Sequence, residues 1–141
     1  MHTKNSKTTA EQTVLEFLSR VWGPAHDLDV IDELMTRDYA ITTGGIVIRG
    51  RNNFKEWVKQ FQVLLSDAKT ISQEIFTNTK GDMVVSRWIC SGKNNGIFGL
   101  CPDDRQVSFT GIAIWKLRAG KLAECWVERS ALELYKELTA A

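Results

Sequence analysis

The spacing of the hydrophobic residues changes once along this chain, and that change limits the folds open to it. Up to Leu65 the apolar residues recur about every 3.6 positions, which is typical of amphipathic helices. Beyond Leu65 they alternate with polar residues, which is typical of half-buried strands. Helices first and strands afterwards predict an α+β domain, in which helices cover one face of a sheet.

Capping and turn signals divide the chain into helices and strands. The predicted caps of the three N-terminal helices are Thr8 or Thr9, Asp29, and Asn52 or Asn53. The predicted strands are residues 39–43, 46–49, 69–77, 83–91, 106–117 and 122–129, and a last helix covers 131–138. A strongly curved antiparallel sheet wrapped around three helices would form a cone whose mouth can hold a ligand. We expect residues 1–9 to be disordered or frayed and residues 10–141 to form a single domain.

Charge and composition exclude several classes of protein. The formal net charge of +1 shows no basic surplus, so we expect no nucleic-acid partner. The chain has no stretch of 18 uncharged apolar residues and no apolar run near its start, so we expect a cytoplasmic protein that does not bind membranes. The three cysteines and two histidines lack metal-ligand spacing, so we expect free thiols and no metal or other cofactor.

Tryptophan is unusually frequent, with five residues in 141. Such side chains suit an ordinary core, and they also suit a pocket for a flat organic ligand. The aromatic candidates for a pocket lining are Trp22, Trp57, Phe61, Trp88, Phe98, Trp115 and Trp126. Trp88 and Trp126 are favoured because they lie in predicted strands.

The last third of the chain carries residues in an order found in a known family. These residues are Asp82, Val84, Val85, Arg87, Trp88, Gly92, Gly96, Phe98, Gly99, Pro102, Gly111, Ile114, Gly120, Lys121, Leu122, Glu124, Trp126, Leu132 and Leu134. In this order they resemble the SnoaL-like polyketide cyclases, within the nuclear transport factor 2-like superfamily. The resemblance implies the cone-shaped fold. It also implies a cofactor-independent enzyme that cyclises, isomerises, dehydrates or hydroxylates a polyketide- or terpenoid-like compound. The expected ligand is therefore small, oxygenated and mostly apolar.

The sequence departs from the family at its acid/base positions. The family's pocket carboxylate falls on Ser130, and two family histidines fall on Asn94 and near Thr42. A hydroxyl or an amide has no pKa near 7 and cannot replace a carboxylate as a proton acceptor. The alternative is therefore a non-catalytic ligand-binding or assembly module of the same fold.

Arg87 lies in a mostly apolar strand, so we expect a carboxylate to face it. Glu124 and Glu128 are the candidates, as a structural pair or as a catalytic pair at the pocket wall. The resemblance places Ser130 in the pocket, and strand alternation without a bulge would then turn Glu124, Trp126 and Glu128 inward. The catalytic candidates are Arg87, Glu124 and Ser130, and Thr42 and Asn94 join the aromatic residues as substrate-binding candidates.

A homodimer is also predicted, because the helices would cover only the concave face of the sheet. Strand 106–117 is apolar on both sides, with Ile112 and Ile114 on one and Phe109, Ala113 and Trp115 on the other. One of these two sides, together with Ala123, Cys125 and Val127 of the last strand, would then lie on a convex face that pairs with a second copy.

Overall fold

The computed structural model describes residues 6–140. Its helices are α1 (Thr9–Arg20), α2 (Val30–Leu34), α3 (Arg51–Leu64) and α4 (Ala131–Thr139). Its strands are β1 (Met35–Thr43), β2 (Ile46–Arg49), β3 (Leu65–Thr77), β4 (Met83–Asn94), β5 (Gln106–Arg118) and β6 (Lys121–Arg129). A short 3-10 turn covers Ile97–Gly99. This is the predicted α+β order, with three helices before the change of period.

Helix α1 begins at the predicted capping box. The Thr8 hydroxyl accepts a hydrogen bond from the Glu11 amide at 3.1 Å, and the Glu11 carboxylate accepts one from the Thr8 amide at 3.1 Å. The cap lies two residues before the predicted domain start at residue 10. Residues 1–5, which make up most of the segment predicted to be frayed, lie outside the described residues.

Helix α3 begins differently from the prediction. Gly50 occupies its N-cap with a φ of 93°, a conformation that favours glycine, and Asn52 and Asn53 lie in the first turn. The Asn53 amide nitrogen donates to the Arg49 carbonyl at 2.9 Å. Asn53 therefore fixes the turn that precedes the helix.

Six strands form one sheet in the order β2-β1-β6-β5-β4-β3. The prediction of an entirely antiparallel sheet is wrong at one pairing, because β1 runs parallel to β6. The hairpin of β1 and β2 joins the sheet through β1, which lies beside β6 and runs in the same direction as β6. Register shifts interrupt the pairing of β3 with β4 and of β5 with β6, and such bulges bend a sheet. The concave face packs against α1 and α3.

Strand β6 carries the largest correction to the sequence prediction. Leu122 and Ala123 are both buried, and the register with β5 shifts beside them, so a bulge interrupts the alternation. Beyond it Cys125 and Val127 are buried, whereas Glu124, Trp126 and Glu128 are exposed. The inward and outward rows of β6 are therefore the reverse of those predicted, and Ala123, Cys125 and Val127 do not form part of a convex surface.

The alternation of β5 agrees with the prediction. Phe109, Ala113 and Trp115 are buried, whereas Ile112 and Ile114 are exposed at 54% and 38%. Among residues 6–140, no helix is both long enough and apolar enough to cross a membrane.

Candidate functional site

A cavity lies between the concave face of the sheet and helices α1 and α3. The space not filled by atoms is about 510 Å³, part of it open to solvent, and about 40 Å³ of it admits the centre of a water molecule. The lining consists of Phe17, Leu18, Trp22, Tyr39, Ile41, Phe54, Phe61, Thr70, Trp88, Cys90, Phe109, Ala113, Trp115, Cys125, Val127 and Arg129. Free space of this size holds only a few waters, so an organic ligand must displace side chains to enter.

The partly exposed lining residues mark the opening of the cavity. They are Trp22, Phe61, Thr70 and Arg129, and the other lining residues are buried. The Trp22 ring lies edge-on to Phe61, with ring centroids 5.7 Å apart, and edge-on to Trp57 at 6.2 Å. Trp57 does not line the cavity itself but supports the aromatic side chains at its mouth.

Trp88 reaches into the cavity because the facing strand leaves room for its ring. Gly111 pairs with Trp88 across β4 and β5. A Cβ atom on Gly111 would lie 2.2 Å from the Trp88 ring, which is closer than atoms can approach. The missing side chain at Gly111 thus allows the indole to lie flat on β5, where it lines the cavity beside Phe109.

Arg129 brings a positive charge to an otherwise apolar lining. It is the last residue of β6, and its Nη1 donates a hydrogen bond to the Thr43 hydroxyl. Its guanidinium carbon lies 5.4 Å from the centroid of the Trp57 ring, a cation–π arrangement. Burial lowers the pKa of Arg129 from its ordinary value, and the arginine remains protonated in proteins. Within residues 6–140, no carboxylate forms an ion pair with Arg129.

Two neutral hydrogen-bond donors lie deeper in the cavity. Tyr39 is fully buried and Trp115 is 3% exposed. Neither the Tyr39 hydroxyl nor the Trp115 indole nitrogen makes a well-aligned hydrogen bond within the described residues, although the two groups lie beside each other and the Tyr39 hydroxyl lies beside the Cys125 thiol. Buried polar groups in folded proteins are nearly always hydrogen-bonded, so two unpartnered donors in one cavity indicate where a ligand oxygen can bind.

No side chain of this lining can act as a base at neutral pH. Burial raises the pKa of Tyr39 well above its ordinary value, and the neighbouring Cys125 contributes to the rise. Burial raises the pKa of Cys125 to about 12 and raises the pKa of Cys90 as well. Among residues 6–140, no carboxylate or histidine lines the cavity. The cavity therefore offers donors and a cation to a ligand but no proton acceptor of its own.

Arg87 and Glu124, the predicted catalytic pair, lie outside this cavity. Arg87 is exposed, and its Nε contacts the Glu74 carboxylate at 3.0 Å while its Nη1 donates to the Gln73 side chain at 2.9 Å. The prediction that Glu124 or Glu128 pairs with Arg87 is wrong, because the neighbouring strand β3 supplies its partners. Glu124 is exposed and pairs in register with Lys116.

Ser130, Trp126 and Thr42 also lie away from the cavity. Ser130 follows the end of β6 as the N-cap residue of α4, and its hydroxyl accepts a hydrogen bond from the Thr110 amide at 2.9 Å. Strand alternation does not extend beyond the strand end, so the position of Ser130 does not define the inward row. Trp126 is 38% exposed and pairs with Thr42 on the outer face.

Asn94 and Phe98 make structural contacts outside the cavity. Asn94 is 2% exposed, donates to the Cys101 carbonyl and the Asp103 carboxylate, and accepts from the Gly96 and Ile97 amides. It organises the loop after β4 rather than lining the cavity. Phe98 is 39% exposed and packs edge-on against Tyr135 of α4.

Of the aromatic residues predicted to line a pocket, Trp22, Phe61, Trp88 and Trp115 line the cavity, whereas Tyr39 and Arg129 were missed. The sequence did contain a signal for Arg129. Glu124 and Glu128 alternate with Cys125 and Val127, and the usual placement of charged residues outward would have turned Arg129 inward with the apolar row. No comparable signal marks Tyr39, whose neighbours in β1 are of mixed polarity.

Comparison with known proteins defines the family. The sequence profile of the SnoaL-like polyketide cyclases matches residues 12–138, which is nearly the whole chain. The chain belongs to the SnoaL-like polyketide cyclase family. No curated protein matches this SnoaL-like sequence. Among residues 6–140 of this family member, no three His, Cys, Asp or Glu side chains lie close enough together to hold a metal ion.

Solved structures show the same fold. A SnoaL-like protein from Jannaschia sp. CCS1 is 19% identical, with a TM-score of 0.86 and 99% of each chain covered. TsrD from Streptomyces laurentii is 22% identical, with a TM-score of 0.81 over 98% of this chain and 100% of its own. IdmH from Streptomyces antibioticus, described as a candidate polyketide cyclase, is 20% identical, with a TM-score of 0.81 over 93% of this chain and 99% of its own. The nuclear transport factor 2-like cone is thus the fold of this SnoaL-like chain.

Proposed function

We propose that this protein is a cofactor-independent enzyme that cyclises, isomerises or dehydrates a polyketide- or terpenoid-like compound in the aromatic cavity. The observation that carries the proposal is the pair of unpartnered donors, Tyr39 and Trp115, in a cavity whose other walls are mostly apolar. Membership of the SnoaL-like family supports the reaction class.

The two donors would act on a carbonyl group of the substrate. When a proton leaves the carbon beside a carbonyl, the electron pair moves to oxygen and forms an enolate. The Tyr39 hydroxyl and the Trp115 indole N–H would hydrogen-bond that oxygen, and such donors in a cavity sheltered from water stabilise developing negative charge strongly. The enolate carbon can then attack a second carbonyl of the same molecule or take a proton back at another position. These steps consume no cofactor.

The proton acceptor in this proposal is water or a basic group of the substrate. The role of Glu124 as the acid/base residue is withdrawn, because its side chain is exposed on the outer face. Tyr39 and Cys125 keep their protons at neutral pH, since burial raises the pKa of both groups.

Hydrogen–deuterium exchange of a flat aromatic ketone, α-tetralone, tests the enolisation step. We expect the protein in D₂O to accelerate exchange at the carbon beside the carbonyl, as followed by NMR. Tyr39→Phe keeps the buried ring and removes a hydroxyl that makes no well-aligned hydrogen bond, so the fold should stay intact. Loss of one oxyanion donor should slow the catalysed exchange by about 10²–10³-fold. Tyr135→Phe, on exposed helix α4, is the matched control. Exchange at the same rate with and without the protein would contradict the proposal.

A non-catalytic ligand-binding or assembly module is the second candidate function. It is favoured by the lack of a carboxylate or histidine in the cavity lining formed by the described residues. In this case a bound ligand would be recovered chemically unchanged and α-tetralone would show only background exchange, although it would still quench tryptophan fluorescence.

We further propose that the protein is a homodimer formed through the outer face of the sheet. In register, one row crosses all six strands through Phe76, Val85, Ile114, Trp126, Thr42 and Val47. Phe76, Val47, Ile114 and Trp126 of this outer row are exposed. An apolar row of this length is typical of a surface that is covered by another chain. Two-fold pairing of the sheets would bury it against the same row of a second copy.

Light scattering tests the dimer. A mass of about twice the 15.9 kDa of one chain is expected, and Ile112→Asp or Ile114→Asp should yield folded monomers because each variant would bury a charge at the interface. Ser108→Asp, at the exposed end of the same strand, is the control. A wild-type monomer at micromolar concentration would contradict the dimer.

A further inference from the structure

Arg129 has the surroundings of a ligand-binding cation rather than of a structural one. Arg20, Arg51, Arg87, Arg105 and Arg118 each contact a carboxylate within 4.0 Å at the surface. Arg129 lines the aromatic cavity instead and forms no ion pair with a carboxylate of the described residues; the exposed Glu128 beside it adds only a weaker attraction at longer range. The hydrogen bond to the Thr43 hydroxyl and the cation–π contact with Trp57 hold the guanidinium in place without neutralising its charge.

A largely buried and unneutralised cation is costly for a folded protein. Removing a charge from water without a counter-ion costs several kcal/mol, and hydroxyls and aromatic rings recover only part of that cost. Such a group persists where function requires it. The contact with Thr43 occupies one of the guanidinium's five N–H donors, so the remaining N–H groups can bind an anion.

We infer that the ligand of this cavity carries a carboxylate and that Arg129 binds this group at the cavity mouth. The inference rests on the proposed function, because it names the substrate class of the same cavity. The planar fork of a guanidinium matches the two oxygens of a carboxylate. The aromatic lining would take the apolar body of the same molecule, and Tyr39 and Trp115 would take a carbonyl oxygen further inside.

The charge of the site favours a carboxylate over a phosphate. Arg129 is the only cationic side chain in the lining formed by residues 6–140, so it offsets one negative charge. A phosphate monoester carries close to two negative charges at pH 7 and more acceptor oxygens, and these would face apolar walls. A singly charged acid with a flat apolar body fits the charge and the lining together.

Two probes of nearly the same shape test the inference in the full chain. Naphthalene-2-carboxylate carries the negative charge, and 2-naphthamide is its neutral counterpart. Binding of each is measured by calorimetry and by quenching of tryptophan fluorescence at pH 7. We expect the wild-type protein to bind the carboxylate at least about tenfold more tightly than the amide.

Three variants test whether Arg129 causes the preference for the carboxylate over the amide. Arg129→Met should abolish the preference for the carboxylate and retain binding of the amide. Arg129→Lys should keep part of the preference, because it retains the charge but loses the two-pronged geometry. Arg118→Met removes an exposed arginine that pairs with Asp38 and does not line the cavity, so it should leave the preference unchanged. Circular dichroism would verify that each variant is folded.

The outcomes separate this inference from the proposed function. Equal binding of the two probes by the wild-type protein, or equal loss of preference in the Arg118 and Arg129 variants, would overturn the inference that Arg129 selects a carboxylate. If neither probe bound, both the inference and the proposed function would be overturned.

Discussion

The two faces of the sheet carry similar residues in opposite surroundings. Arg129 and Trp88 belong to the concave face, where both line the cavity. Arg87 and Trp126 belong to the convex face, where Arg87 pairs with Glu74 and Trp126 is partly exposed. Residue type therefore says little about role in this protein. The face of the sheet decides whether an arginine is a surface ion-pair partner or an unneutralised charge beside a ligand cavity.

Replacing one tryptophan on each face should have the largest effect on stability. Trp88→Ala removes a buried ring and should lower the free energy of unfolding by about 3–5 kcal/mol, as large-to-small core substitutions do. Trp126→Ala should cost less than half as much because its ring is partly exposed, with both tryptophan variants made in an Ile112→Asp background that is expected to be monomeric. Urea denaturation measures both values. Equal costs would mean that the two faces are not distinguished by burial.

Gly111→Ala should disturb the packing of the concave face around Trp88. The new methyl group would collide with the Trp88 ring, so we expect a loss of about 1–3 kcal/mol in the free energy of unfolding and a shift in tryptophan fluorescence. Ser108→Ala changes an exposed residue of the same strand and should have little effect. An unchanged stability in Gly111→Ala would show that the ring has another position available.

The pH dependence of stability should distinguish thiols of the concave face from an exposed one. Burial raises the pKa of Cys125 to about 12, whereas an unfolded thiol has a pKa of about 8.5. The unfolded state then loses this proton first as the pH rises, so the stabilisation is complete below about pH 8.5 and is lost between there and about pH 12. The Cys125 thiol alone contributes a slope of up to about 1.4 kcal/mol per pH unit in that window.

Urea denaturation between pH 8 and pH 11 measures that slope. Cys125→Ala should flatten the curve, and Cys101→Ala, which alters an exposed thiol, should not. Identical curves for the two variants would show that Cys125 titrates as an exposed cysteine does. The measurement is made without a ligand, so the result bears only on the burial of the concave face.

Much of the fold was predictable because it rests on local signals. The capping box at Thr8 and Glu11 fixes the start of α1, and alternation along β5 correctly separates Phe109 and Trp115 from Ile112, without saying which of the two rows faces inward. The candidate site was predicted less well. Trp22, Phe61 and Trp88 were found from their bulk and periodicity, whereas Arg87 and Glu124 were assigned to the site but lie on the other face.

The sequence by itself determined the order of elements, the two apolar rows of β5 and the family, because periodicity, caps and motifs are properties of neighbouring residues. The cavity depends instead on contacts between residues that are far apart in the chain. The register shift beside Ala123 places a bulge in β6, and beyond it the alternation is regular, with Cys125, Val127 and Arg129 on the cavity side. Helices α1 and α3 cover that side of the sheet, and for this reason Arg129 lines a cavity rather than an open surface.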